Sequence, residues 1–124
     1  MQFTIYTALF FSFLTSSLAY MVKVPNDKQG WYSHYVGRIT WDRVDTDTDH
    51  FAIILTNQDR SVLPEDIVLK SWVSGGTPNQ NHNIDIEPIK GGFPIGSHFR
   101  VNFVKIANEQ QTIYAQSSEF TIKE

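Results

Sequence analysis

Four aromatic side chains carry the most legible chemistry in the sequence: Trp31, Tyr32, Tyr35 and Trp72. Trp31, Tyr32 and Tyr35 lie in and just after a polar loop, and Trp72 lies near the end of an apolar run. A flat ring with a polar handle can stack on the C–H face of a sugar while neighbouring polar groups bind its hydroxyls. These four residues are therefore the candidate ligand-binding set. The competing role for such rings is to close the ends of a core, because Trp is usually well buried. Trp41 belongs to that second class: it alternates with Ile39 on one strand face, opposite Arg38 and Thr40.

Other residue types offer less. Asp45, Asp47 and Asp49 alternate in the run Asp45-Thr46-Asp47-Thr48-Asp49-His50, as oxygen ligands of Ca²⁺ do. However, His50 stands where a calcium loop needs Gly, and Thr56 stands where it needs Glu, so the run reads as a solvated turn. His34, His50, His82 and His98 lack the i, i+4 spacing of a helical metal pair. Asp85 and Glu87 would project from one strand face about 7 Å apart. That spacing resembles a glycosidase pair, but a solvent-facing strand offers nothing to raise one pKa for acid catalysis. No Gly-x-Ser-x-Gly elbow and no phosphate loop is present. The expectation is a protein that is not an enzyme, with no catalytic residues, metal site or cofactor.

The elements that must position these side chains are strands. Residues 1–19 contain no charged side chain and hold an apolar core, Ile5 to Leu14, ahead of Ser17-Leu18-Ala19. This is a signal-peptide pattern, with cleavage expected after Ala19. The run is broken by Thr15, Ser16 and Ser17 before it reaches membrane-spanning length. Phe120 to Glu124 is charged and shows no anchor signal of the GPI type. Residues 20–124 are then one secreted domain with no membrane span after cleavage, carrying all the charges of a chain whose net charge is -3. That balance predicts no nucleic-acid partner. With no cysteine in the sequence, stability must come from packing and the hydrogen-bond ladder. No Asn-x-Ser/Thr sequon is present either.

Seven strands are expected in the mature region: Met21–Val24, Tyr35–Trp41, Phe51–Thr56, Ile67–Val73, Asn83–Glu87, Ser97–Ile106 and Thr112–Ile122. Turn residues separate them, among them Pro25–Gly30, Asn57–Ser61, Gly75–Asn81 and Gly91–Gly96. The third strand is apolar on both faces and should be central and covered. Phe99, Val101 and Phe103 share one face of the sixth. Seven short strands without a helix predict an all-β, immunoglobulin or fibronectin III-like antiparallel β-sandwich, with a small closed barrel as the alternative.

The order of motifs adds a resemblance. A Val-x-x-Pro-like start leads to Gly30-Trp31 and then Gly37-Arg38-Ile39-Thr40-Trp41. Ile53-Ile54-Leu55, Gly96-Ser97-His98-Phe99-Arg100-Val101 and Ser117-Ser118-Glu119-Phe120-Thr121-Ile122 follow. Together, over about Val24 to Ile122, these motifs resemble the fungal Ser/Thr-rich GPI-anchored membrane protein family. The same domain opens the yeast Kre/Knh cell-wall synthesis proteins. The resemblance implies a secreted, non-enzymatic domain of the fungal cell wall that binds or helps organise β-glucan. The family supplies no catalytic residue to carry over. The chain departs from the family in lacking a Ser/Thr-rich stalk, an anchor signal and a Trp in the fifth strand, where Ile84 and Ile86 stand. A freely secreted protein-interaction or effector-like module, with a surface protein as partner, is the alternative reading.

Overall fold

The structure, a computed structural model, describes residues 20–43, 50–77 and 79–124. The expected signal segment, residues 1–19, and the acidic run at Asp45 to Asp49 lie outside the described residues. Among the described residues the fold is all-β. Its strands are β1 (Tyr20–Val24), β2 (Trp31–Tyr32), β3 (Gly37–Arg43), β4 (His50–Asn57), β5 (Ile67–Ser74), β6 (Gln80–Ile86), β7 (Gly96–Ile106), β8 (Glu109–Gln116) and β9 (Phe120–Lys123).

The nine strands form two sheets. The smaller is antiparallel in the order β1-β3-β6, with Val22 opposite Trp41 and Ile39 opposite Ile84. The larger runs β2-β9-β7-β4-β5, with β8 also paired to β7, and curls into a half-barrel. Eleven-residue β7 organises it: β4 lies along one edge, and β8 and β9 follow one another along the other.

Two features depart from the seven-strand expectation. The single last strand is two strands, broken at Ser117–Glu119. Ser117 causes the break. Its Oγ accepts the Val101 N–H (2.9 Å) and donates to the Ser118 carbonyl (2.9 Å), so side-chain bonds replace a rung of the ladder. The second departure is β2, a two-residue strand that pairs parallel to β9, with Trp31 opposite Ile122 and Tyr32 opposite Lys123. The larger sheet is therefore mixed rather than purely antiparallel.

The alternation read from the sequence positions the core. Ile39 and Trp41 are buried on β3, as are Phe99, Val101 and Phe103 on β7. β4 is buried on both faces: Phe51, Ile53 and Leu55 join the core between the sheets, while Ala52 and Ile54 meet Val104 on the opposite side. This fits a central strand with a neighbour on each edge.

Between the sheets, Phe51 and Phe103 stack with centroids 4.0 Å apart and planes 16° apart. Trp41 from the smaller sheet stands edge-on to both, 5.5 Å from each. Tyr20 does the same from β1, 4.9 Å from Phe51 and 5.9 Å from Phe103. Edge-to-face and offset contacts of this kind add about 0.5–1.5 kcal/mol each beyond area burial. The Trp41 Nε1 proton is not stranded, since it is donated to the Gly75 carbonyl at 3.2 Å.

The smaller sheet is also tied by charge. The Asp42 carboxylate accepts from Asn81 Nδ2 on β6 (3.0 Å) and pairs with Lys23 on β1 (2.9 Å). Those two bonds, with the positive charge of Lys23, hold its carboxyl below the ordinary Asp value.

Phe103→Ala should lower unfolding stability by about 3–5 kcal/mol, read from urea unfolding. A loss below 1 kcal/mol would contradict a bridging role for the stack. For Asp42 the sign is set by a depressed folded-state pKa. Its contribution is complete above the ordinary carboxylate range and is lost as pH falls through the depressed value. Asp42→Asn should therefore flatten the fall in urea midpoint between about pH 5 and pH 2, and an unchanged profile would reject the assignment.

Candidate functional site

The loop before β2 is built by Asn26. Its Oδ1 accepts the N–H groups of Lys28 (2.9 Å) and Gln29 (2.8 Å), and its Nδ2 donates to the Lys23 carbonyl (2.8 Å). Such a turn spends a side chain in place of backbone partners. It delivers Gly30 to β9 at very short range: a Cβ on Gly30 would lie 2.1 Å from the Thr121 carbonyl oxygen. Only a residue without a side chain fits there.

Trp31 then turns inward. It is only 3% exposed, tilted against Phe93 (4.9 Å) and Phe120 (5.2 Å), and its Nε1 donates to the Arg38 carbonyl at 3.2 Å. Gly37 makes room for it, since a Cβ there would come within 2.6 Å of the indole. Trp31 is thus a core residue and offers no free face for stacking, which corrects its place in the candidate set. The reason is the parallel pairing: one residue of β2 must face inward, and the alternation makes it Trp31.

By the same alternation Tyr32 faces outward, 49% exposed. The Tyr35 N–H donates to the Tyr32 carbonyl at 3.3 Å, which folds the chain back. The Tyr35 ring, 69% exposed, comes edge-on to Tyr32 at 6.1 Å. Below them, Ser33 is buried and locked to the Phe93 segment. Its Oγ and its carbonyl each bond Phe93 backbone at 2.7 Å. The tyrosine pair therefore stands on a rigid base.

Two open grooves meet at Tyr32. One, about 340 Å³, runs past Asp27, Lys28, Gln29 and Lys123. The other, about 260 Å³, runs past Val36, Arg38 and Thr40. An apolar ring face with amide, ammonium, guanidinium and carboxylate groups around it can bind a ligand that has both C–H faces and hydroxyls.

Trp72 does not join this site. It lies on β5, at the far edge of the larger sheet from β2. There it is 62% exposed and stacks on His50 at 5.5 Å with planes 21° apart. Of the four candidate residues, the structure brings two exposed rings together, buries the third and separates the fourth.

The remaining candidates are dispersed. Asp85 is held in a fork by Arg38, with bonds of 2.9 and 3.3 Å, and this contact also raises the Arg38 pKa above its ordinary value. Glu87 lies beyond the end of β6 and does not share the Asp85 fork. Among the described residues no cluster of three or more His, Asp or Glu side chains is arranged to hold a metal ion. His82 leans on Trp41 and contacts the Thr77 carbonyl, and His98 contacts Glu119. Lys28, Gln29 and Lys123 were missed by sequence reasoning. Only the β2–β9 pairing brings Lys123 beside Tyr32, and a two-residue strand leaves no periodic signal.

No family model matches the chain. The chain is similar to the uncharacterized protein C553.10 of Schizosaccharomyces pombe, with 30% identity over 115 residues. The match covers 93% of this chain and 30% of that protein, so the chain spans under a third of its relative's length. No solved structure matches.

Gly30→Ala should separate β2 from β9 and cost at least about 1–3 kcal/mol, as overpacking does. Amide exchange at Ser33, whose N–H bonds the Lys123 carbonyl, should accelerate in the same variant. Normal stability with normal protection would refute the close-approach role.

Proposed function

We propose that residues 20–124 form a secreted, non-enzymatic carbohydrate-binding domain of the fungal cell wall, which holds β-glucan through Tyr32 and Tyr35. In this reading the two sheets are a variant of the immunoglobulin or fibronectin III-like sandwich, and the chain is a relative of the Kre/Knh-type domains. The observation that carries the proposal is the exposed edge-on Tyr32–Tyr35 pair, fixed above a buried Trp31 and flanked by polar grooves. Rings held this way stack without losing much side-chain freedom on binding. The similarity to a fission yeast protein supports a fungal setting. Engagement of Asp85 by Arg38 supports binding without hydrolysis, because it takes up one carboxylate of the Asp85 and Glu87 pair, whose spacing in sequence resembles that of a glycosidase.

The test is a pull-down of the secreted protein on insoluble β-glucan. Tyr32→Ala and Tyr35→Ala together should weaken recovery at least about tenfold, the equivalent of 1.4 kcal/mol. Trp72→Ala should leave it unchanged. Equal recovery of the double variant and wild type, or no recovery of wild type, counts against glucan binding. A protein partner captured through the same two tyrosines would instead make the chain an interaction module.

A further inference from the structure

The face of the larger sheet turned away from the core carries another groove, of about 350 Å³. It shares no residue with the grooves beside Tyr32, and every side chain lining it is polar. Six of those side chains matter: Asn57, Arg60, His98, Arg100, Asn102 and Glu119.

Their orientation is set in advance. Asn57 is buried, and its Nδ2 donates to the Ser97 carbonyl at 2.7 Å, tying β4 to the start of β7. Arg100 donates from Nη1 to the Ser117 carbonyl at 2.9 Å, which fixes the plane of its guanidinium. Asn102 is also buried. Its Oδ1 accepts from Gln116 Nε2 at 3.0 Å, which engages the acceptor side of an amide that lines the groove. His98 has a φ of +70°, in the left-handed region that side-chain-bearing residues seldom occupy. The irregularity falls where the β7–β9 register shifts between Gly96 and Phe99.

The donors converge on a carboxylate of the chain itself. Glu119 Oε1 lies 3.2 Å from His98 Nδ1, and Glu119 Oε2 lies 3.9 Å from Arg100 Nη2. The second contact is long for a guanidinium–carboxylate pair. Glu119 sits in the break between β8 and β9, so no ladder bond holds its backbone in a strand. Arg60, by contrast, is already matched by Asp66 at 2.7 Å.

We propose that this groove binds a sugar acid, a hydroxyl-rich ligand with one carboxylate, and that Glu119 is the resident group the carboxylate displaces. The Arg100 guanidinium has the planar form that matches a carboxylate, and the Asn102 amide in the same lining, its oxygen engaged by Gln116, has only NH2 protons to offer. The amides of Gln58 and Gln116, and the oxygen of the Thr56 hydroxyl, whose proton goes to Asp66 at 2.6 Å, are the lining for the ligand's hydroxyls. Removing Glu119 vacates one negative charge, which favours a monoanion over a doubly charged phosphate. This site does not rest on the tyrosine reading and has its own variants.

The test follows the backbone and side-chain NMR signals of residues 98–102 and 116–119 in the intact protein. The probes are D-glucuronate, acetate, glucose and inorganic phosphate. Glucuronate should shift these signals saturably, acetate more weakly, and glucose not at all. Binding of glucuronate should tighten about tenfold in Glu119→Gln, because an internal competitor lowers the fraction of open sites. It should be lost in Arg100→Gln. Asn102→Asp keeps the acceptor for Gln116 but puts a carboxylate in the groove, and it should also abolish binding, which covers misfolding of the Arg100 variant. The proposal fails if glucuronate does not saturate either wild type or Glu119→Gln. It fails equally if both Arg100→Gln and Asn102→Asp bind normally, if glucose saturates as well, or if phosphate binds more tightly than glucuronate.

Discussion

The Phe51–Phe103 stack, with Trp41 and Tyr20 edge-on to it, is the contact on which the rest of the structure depends. Phe51 and Phe103 lie on neighbouring strands of the larger sheet, and Trp41 and Tyr20 reach them from the smaller one. In a chain with no disulfide, nothing covalent holds the layers together. Aromatic rings suit this task because they bring large apolar area with defined geometry. The hydrogen bond from Trp41 to Gly75 adds direction, tying the connection after β5 to the same cluster.

A second aromatic group, Trp31 with Phe93, Phe99 and Phe120, lies under β2 and β9. It links fold to surface. Burying Trp31 decides which residues of its segment face water, and so it places Tyr32. Gly30 and Gly37 serve the same end from opposite sides, one admitting a strand and the other a ring. The exposed tyrosine pair is thereby held in place without any long ordered loop of its own.

Much of the fold was legible because period-two alternation is strong where one face is buried. Ile39 with Trp41, Phe99 with Val101 and Phe103, and the doubly apolar β4 all occupy the places their spacing assigns. The candidate site was legible only in part. Tyr32 and Tyr35 could be picked out by type, but the inward turn of Trp31 depends on a parallel pairing that leaves no periodic trace. The split between β8 and β9 was hidden for a different reason. Ser117 is compatible with a strand, and its role as a bond-maker to Val101 appears only when β7 lies alongside. The groove around His98 could not be read at all, because it joins residues of β4, β7 and β8 with a loop carboxylate.

The parallel pairing of β2 with β9 also bears on how the molecule reaches its native state. Trp31 and Ile122 are neighbours in space but lie near opposite ends of the described chain. Bringing them together closes a very long loop, and the entropy of that closure is met before the contact returns anything. Hairpins such as β7–β8, whose partners are close in sequence, carry no such burden. By this measure the β2–β9 pairing, and with it the outward placing of Tyr32, forms after the hairpins.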